Sequence, residues 1–145
     1  MRSEVKAEVV KVVLDTNVYI SAILFGGKPE RIISMARSSE IELLISPDIL
    51  AEVAKVLRAK FAWTDEQIRV TLAEITSITT LITPKIALKV IAEDKADNMF
   101  LACALAGGAE YVVSGDTRHL QPLKEYQGIR ILSPAEFLPI ITRDR

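Results

Sequence analysis

Five short runs of apolar and β-branched residues predict the strands of one sheet. They cover residues 9–14, 41–45, 78–82, 111–114 and 129–132. The first run, Val9-Val10-Lys11-Val12-Val13-Leu14, is apolar at nearly every position. Such continuity is typical of a central parallel strand that is covered on both faces. We therefore expect this run to lie in the middle of the sheet.

Helical spacing and helix-start signals lie between these runs. Gly26-Gly27 ends a helix that begins near Asn17, and a second helix starts near Pro29. Ser46-Pro47 opens a third helix, Thr64 and Gln67 have capping-box spacing, and a last helix covers residues 134–140. The helix after Asp97 is apolar almost all round and ends at Gly107-Gly108, so we expect it to be buried against the sheet.

The alternation of strands and helices predicts an α/β fold. It favours a three-layer α/β/α sandwich with a parallel sheet of four or five strands and helices on both faces. The 145 residues contain no internal repeat and no convincing linker. We therefore predict a single domain over residues 1–145.

Composition narrows the class of protein. Half of the residues are hydrophobic and 26% are charged, which is enough apolar material to form a core without disulfides. The net charge of −1 argues against a protein that coats DNA through a long-range positive field. Cys103 is the single cysteine, and it lies in an apolar run, so we expect a buried thiol. Residues 1–8 lack the apolar centre of a signal peptide, and we expect a cytoplasmic protein.

Four carboxylates follow the predicted strands in a consistent way. Asp15 ends the first strand and Asp116 follows the fourth, while Glu52 lies about one and a half turns into the helix after the second strand. Asp97 lies at or just before the start of the helix that leads into the fourth strand. Open α/β sheets bind ligands at the carboxyl ends of their strands. The topology therefore predicts that all four acids lie at one edge of the sheet.

Each acid also has a purely structural interpretation. Asp15 and Asp97 could cap helices, and Asp116 in Ser114-Gly115-Asp116-Thr117 could be a turn residue. Taken together, however, several carboxylates at one edge repel one another unless a cation neutralises them. Oxygen ligands without a His/Cys cluster favour Mg²⁺ or Mn²⁺ over Zn²⁺. A common use of such an ion is to polarise a phosphate and activate water.

Four segments of the chain resemble the signatures of PIN-domain ribonucleases. They are Val13-Leu14-Asp15-Thr16-Asn17, Ser46-Pro47-Asp48-Ile49-Leu50-Ala51-Glu52, Asp94-Lys95-Ala96-Asp97-Asn98 and Val113-Ser114-Gly115-Asp116. Their order and spacing are similar to those of the small stand-alone bacterial and archaeal PIN proteins, the VapC-like toxins of toxin–antitoxin pairs. The resemblance extends over nearly the whole chain, and the four signatures in order are far more specific than any one of them.

This resemblance implies a function and a set of roles. Asp15, Glu52, Asp97 and Asp116 would be the Mg²⁺ or Mn²⁺ ligands and the catalytic residues of an endoribonuclease. Thr16 and Asn17 would position Asp15 or the scissile phosphate. The resemblance further implies RNA cleavage, homodimerisation and inhibition by a small antitoxin protein inserted near the acidic site.

The segment after Asp116 departs from the family pattern. Many PIN domains have a further acid there, whereas this chain has Arg118 and His119. This leaves open whether one or two metals bind, and Asp94 is a candidate for an extra outer charge. The Arg118 guanidinium could bind an RNA phosphate bidentately. The lone His119 is a weaker candidate, since isolated histidines are more often structural.

Three other functions are compatible with an α/β fold that has aspartates at its strand ends. A PIN-fold module for RNA processing or RNA binding, without a toxin role, is the main alternative. A phosphohydrolase of the haloacid-dehalogenase type needs a second aspartate two positions after its nucleophile, where this chain has Asn17. A Walker-type P-loop is also absent from the sequence, which argues against an NTPase.

Overall fold

The computed structural model describes residues 9–85, 95–116 and 120–143, except for the side chains of residues 95–97 and 121. In these residues one sheet has the strand order β3-β2-β1-β4-β6-β5. The strands are β1 (Val10–Leu14), β2 (Ile41–Ile45), β3 (Thr79–Leu81), β4 (Tyr111–Val113), β5 (Glu125–Tyr126) and β6 (Ile129–Leu132). All neighbouring pairs are parallel except β5 and β6.

The five predicted strands are therefore confirmed, and β1 lies inside the sheet as expected. The sheet is larger than predicted, because the antiparallel strand β5 adds a sixth member to five parallel strands. β5 is two residues long and forms a hairpin with β6 around Gln127 and Gly128, which both have positive φ. A strand this short has no alternating pattern that a sequence could display.

The helices begin largely where the cap signals predict. They are α1 (Thr16–Phe25), α2 (Gly27–Arg37), α3 (Pro47–Phe61), α4 (Asp65–Ser77), α5 (Lys95–Gly107), α6 (Leu120–Leu123) and α7 (Pro134–Arg143). The Ser46 hydroxyl accepts a hydrogen bond from Ile49 N at 3.2 Å, and Thr64 and Gln67 form the capping box. Two details differ from the prediction. The four-residue α6 was not predicted, and Asp97 is the third residue of α5, not its cap.

The chain adds β2 and β3 on one side of β1 and then β4 on the other side, so its direction across the sheet reverses. From β1 the chain steps through α1 and α2 to β2, and then through α3 and α4 to β3. It returns through α5 to β4 on the other side of β1, and continues outward to β6. Because parallel crossovers are almost always right-handed, we expect α5 on the opposite face of the sheet from α1 and α2. The carboxyl ends of β1 and β4 form the switch point where such sheets bind ligands.

The core fills both sides of the sheet. Val12, Val13 and Leu14 are fully buried, and so is Cys103 on α5, as expected. The rings of Tyr111 and Phe137 meet edge to face with centroids 5.5 Å apart, which packs α7 against β4. Within the described part of the chain, none of the helices has the length and hydropathy needed to cross a membrane.

Candidate active site

Asp15 lies at the end of β1 and is fixed by the main chain on both sides. Its backbone N donates to Val113 O of β4 at 3.0 Å, which extends the β1–β4 pairing by one residue. Its carboxylate caps α1, since Oδ1 accepts from Asn17 N at 2.7 Å and from Val18 N at 3.2 Å. Only 3% of the residue is exposed. The structural role expected for Asp15 as a helix cap is thus present, and it leaves the other carboxylate oxygen, Oδ2, outside the cap.

Ser114 joins Asp15 to the loop that carries Asp116. It follows β4 directly, is fully buried, and its backbone N donates to Leu132 O of β6 at 2.8 Å. Its hydroxyl donates to Asp15 Oδ2 and accepts from Asp116 N at 2.9 Å. A single hydroxyl therefore sets both the orientation of the Asp15 carboxylate and the start of the Gly115-Asp116 turn.

Two opposing influences act on the pKa of Asp15. Burial is the largest, and it raises the pKa above the ordinary value of 3.8; the negative charge of Asp116 raises it further. The hydrogen bonds from Ser114, Val18 and Asn17 act in the other direction, but the net shift is upward. Asp116 is half-buried and close enough to contribute to this shift. The fold therefore brings together two carboxylates, Asp15 and Asp116, from the ends of neighbouring strands, as the sequence predicted for this pair.

The donor set of this pair fits a hard cation. An ionised carboxylate has about four acceptor positions, and described donors occupy three of those on Asp15. The remaining position belongs to Oδ2, the oxygen outside the cap. A cation beside Oδ2 would offset both the burial of Asp15 and its repulsion by Asp116, the two causes of the raised pKa. Mg²⁺ commonly takes only one or two protein carboxylates and keeps several waters, so the number of carboxylates in this pair matches what such an ion takes.

The other predicted metal ligands are less closely defined. Glu52 is the sixth residue of α3, half-buried, on a helix that packs against α1. Asp97 lies in the first turn of α5, but its carboxylate is outside the described side chains. Among the side chains that the structure describes, no three acidic, histidine or cysteine groups are grouped closely enough to hold a metal. Four-carboxylate coordination thus stays a prediction.

Two of the predicted substrate-binding residues, Thr16 and Asn17, follow Asp15 directly at the start of α1. Thr16 is buried, and its Oγ1 has no hydrogen-bond partner among the described residues. Asn17 is exposed, and its backbone N is one of the donors to Asp15. Arg118, His119 and Asp94 lie outside the described residues.

Sequence reasoning missed Ser114 as a functional residue. The segment Val113-Ser114-Gly115-Asp116 is one of the four signatures in the sequence, but the resemblance gives a role only to Asp116. The partner of the Ser114 hydroxyl is 99 positions away in the chain. A polar residue at the end of a buried strand, level with an acid that ends the neighbouring strand, is the signal that would have identified it.

The sequence of this chain matches a known protein family. A family model described as PIN domain matches residues 11–118, which include Asp15, Glu52, Asp97 and Asp116. The uncharacterized protein MJ1680 of Methanocaldococcus jannaschii is 32% identical over 112 residues, which are 74% of this chain and 71% of that protein.

Two solved structures share the fold. One is VapBC2 from Rickettsia felis bound to a DNA fragment from their promoter, with a TM-score of 0.60 and 18% identity, over 84% of this chain and 97% of that chain. The other is Mycobacterium tuberculosis VapC20, a toxin that cleaves the sarcin-ricin loop, with a TM-score of 0.60 and 13% identity, over 82% of this chain and 98% of that chain. The family match covers both strand ends of the site. This chain belongs to the PIN domain family.

Proposed function

We propose that this chain is a metal-dependent endoribonuclease and the toxin of a toxin–antitoxin pair. The observation that carries the proposal is the buried Asp15 carboxylate beside Asp116 at the switch point of the sheet, with an acceptor position on Oδ2 that no described donor occupies. Burial of the Asp15 carboxylate and its repulsion by Asp116 both disfavour the ionised pair, and a bound cation would offset both. Asp15, Glu52, Asp97 and Asp116 are the proposed ligands, directly or through water, and Mg²⁺ or Mn²⁺ is the proposed ion.

The chain's own residues would hold and orient the reacting groups. Ser114 and the first amides of α1 fix the Asp15 carboxylate. When bound, the ion would neutralise phosphate charge and lower the pKa of nearby water. Thr16, Asn17 and Arg118 would orient the phosphate. In the hydrolysis, a bond forms between water oxygen and phosphorus, and Asp116 or Asp97 accepts the proton of that water. The bond from phosphorus to a ribose oxygen breaks, and the leaving oxygen takes a proton from bulk water.

The toxin role and the partners are supported by the neighbours in fold. VapC20 is a toxin that cleaves the sarcin-ricin loop, and the Rickettsia structure is VapBC2 bound to a DNA fragment from their promoter. We extend these properties to this chain. It would cleave RNA in the cytoplasm, form a homodimer and be inhibited by a small antitoxin protein. A PIN-fold module that processes or binds RNA without a toxin role is the alternative, and it shares the same site.

The first test is cleavage of labelled single-stranded RNA and matching DNA by purified protein with Mg²⁺, with Mn²⁺ or with EDTA. We expect cleavage of RNA that depends on the metal and is abolished in Asp15→Asn and Asp116→Asn. Asp65→Asn is the matched control, because Asp65 is 89% exposed on α4. Mn²⁺ should also raise the Tm of the wild type and of the control, but not of the two site variants.

Two results separate the proposal from its alternative. Folded protein that binds RNA without cleaving it in any metal would make the binding module the better description. If the protein neither cleaves RNA nor gains thermal stability from Mn²⁺, the proposed metal site is wrong. For the toxin role, induced expression of the wild type should arrest growth, and expression of Asp116→Asn should not.

A further inference from the structure

Phe25, at the end of α1, is the most exposed large apolar side chain among the described residues. It is 80% exposed, whereas the other exposed large apolar residues lie between 40% and 57%. A phenylalanine with this much of its ring in water contributes little to the core. Its exposure therefore calls for an explanation outside folding, although a single exposed apolar residue is not by itself a site.

Phe25 lies at the end of α1 that is farthest from Asp15, on a side of the helix with exposed polar residues. Asn17, Ser21 and Phe25 recur every four residues, so they follow one another along one side of the helix. Asn17 is exposed and Ser21 half-exposed, while Tyr19 on the opposite side of the helix from Ser21 is buried. At about 1.5 Å per residue, the ten residues of α1 extend roughly 15 Å. Helical side chains lean toward the helix N-terminus, which brings the Phe25 ring closer to the Asp15 end.

Two exposed cations follow Phe25 at the start of α2. Lys28 and Arg31 are both exposed, and neither forms an ion pair with any described residue. The nearby carboxylate of Glu30 already interacts with Arg37 at 3.4 Å and with the Ser34 hydroxyl at 3.3 Å. The two positive charges are therefore not neutralised within this part of the protein.

The turn between Phe25 and these cations leaves room for a ligand. Gly26 and Gly27 both have positive φ, and a Cβ built on Gly26 would meet no atom within 4 Å. A Cβ on Gly27 would meet only the ring of Pro29, at 3.9 Å. The backbone at this turn is thus open on the side where side chains would otherwise project.

We propose that this surface, formed by Asn17, Ser21, Phe25, Lys28 and Arg31, binds the single-stranded RNA that extends from the cleavage site, with Phe25 stacking on an unpaired base. This inference rests on the proposed nuclease function, since it assigns the path of that substrate. Lys28 and Arg31 would neutralise phosphates on either side of the stacked base. Stacking on an aromatic ring needs a base that is free of its neighbours, so the surface favours single strands over duplexes.

The composition of the surface favours RNA over a protein partner. The core of a protein interface is depleted in lysine and contains contiguous apolar side chains. Here a single exposed aromatic ring is flanked by two glycines, a lysine and an arginine, and Leu24 beside it is half-buried. An aromatic ring among cations is the combination found in surfaces that bind single-stranded nucleic acid.

The test measures the affinity for a labelled single-stranded RNA in Mg²⁺, with full-length protein carrying Asp116→Asn to prevent cleavage. Phe25→Ala and Phe25→Leu should each weaken binding by about tenfold, and Phe25→Tyr should restore it, because stacking needs a ring and not only an apolar side chain. Phe61→Ala is the matched control, since Phe61 is an exposed aromatic residue at the end of α3. It should bind like the parent protein.

Salt dependence tests the cations separately. Lys28→Gln with Arg31→Gln should lower the slope of log affinity against log salt by about 0.7 for each lost phosphate contact. Lys55→Gln with Lys60→Gln removes two exposed lysines of α3 and should leave the slope unchanged. All variants should retain the circular dichroism spectrum and Tm of the parent.

The outcomes distinguish this inference from the proposed function. If the wild type cleaves RNA and Phe25→Ala binds and cleaves equally well, the surface does not carry the substrate, although the nuclease proposal stands. If Phe25→Leu binds RNA as tightly as the parent while Phe25→Ala does not, Phe25 makes only an apolar contact, and the proposed stacking on a base is wrong. If the wild type binds no RNA at all, both proposals fail together.

Discussion

Two junctions of the molecule have the same architecture and different chemistry. At the first, β1 runs into α1 through Asp15; at the second, the neighbouring strand β2 runs into α3 through Ser46. Both residues are extended and almost fully buried, and both cap their helix through side-chain oxygen. Ser46 accepts one backbone N–H with a neutral hydroxyl, whereas Asp15 accepts two with a carboxylate whose pKa is raised by burial.

The difference shows that helix capping does not explain the charge at Asp15. A hydroxyl meets the structural need at Ser46, and hydroxyls also cap α4 and α7, at Thr64 and Ser133. Serine and aspartate are about equally good caps, so the buried charge at Asp15 adds a desolvation cost without a capping benefit. Its place beside Asp116 and Ser114 is what the proposed cation site would require.

The largest expected effect comes from making the first junction like the second. Asp15→Ser keeps a capping oxygen but removes the carboxylate, so the protein should fold and lose RNA cleavage by about 10³-fold or more, as expected for a loss of several kcal/mol of transition-state stabilisation. Single-turnover cleavage in Mn²⁺ measures this, with circular dichroism as the check on folding. Cleavage within tenfold of the wild type would mean that Asp15 serves only as a cap.

Ser114→Ala should give the next largest effect, because it removes the hydroxyl that orients Asp15 without touching either carboxylate. Positioning residues of this kind change metal affinity or activity by about 10–100-fold. The Mn²⁺ concentration for half-maximal cleavage should rise. The Ser114 hydrogen bond lowers the pKa of Asp15, so its loss should move the acidic limb of the pH–rate profile to higher pH.

These two readouts separate positioning from packing. A variant that is only less stable would lose activity in proportion to unfolding, with the metal requirement and the pH profile unchanged. Ser114→Ala removes the hydroxyl that accepts from the Asp116 amide, so we expect the free energy of unfolding to fall by about 1–3 kcal/mol. The cleavage assays therefore need a temperature well below the Tm of this variant.

Local signals in the sequence predicted the two junctions, but not the contact between β1 and β4. Ser46-Pro47 and the Thr64–Gln67 pair mark helix starts by chemistry within four residues, and both are confirmed. Asp15 and Asp116 could be placed at one edge because parallel topology fixes where strands end. The Ser114–Asp15 bond depends on the β1–β4 register, in which Leu14 pairs with Val113, and no short segment encodes that. The two-residue β5 and the four-residue α6 are likewise too short to display a period.

Ser46→Ala tests the structural half of the comparison. It removes a cap and no charge, so the free energy of unfolding should fall by about 1 kcal/mol. Cleavage per folded molecule should not change. Chemical denaturation in urea measures the first quantity and titration of active sites the second. A loss of cleavage beyond the loss of folded protein would show that the second junction also contributes to the chemistry.

The smallest effect, and the one most specific to the charge at Asp15, is on the pH dependence of stability without metal. The folded-state pKa of Asp15 lies above its ordinary value of 3.8, so the folded protein retains a proton that the unfolded chain has released. The resulting stabilisation is fully present below 3.8 and is lost as the pH rises through the folded-state pKa. Asp15→Asn keeps an amide oxygen to cap α1 and cannot ionise.

The free energy of unfolding of the wild type minus that of Asp15→Asn should therefore decrease with rising pH in EDTA, and level off once Asp15 is ionised. The free energy of unfolding of the wild type minus that of Ser46→Ala should be independent of pH, because this substitution removes no titratable group. In saturating Mn²⁺ the difference should instead increase toward neutral pH, because the ion stabilises only the wild type and binds the ionised carboxylate. A difference that increases with pH in EDTA would mean that the local hydrogen bonds outweigh burial and the charge of Asp116. Asp15 would then be an ordinary ionised cap, and the contrast with Ser46 would lose its functional meaning.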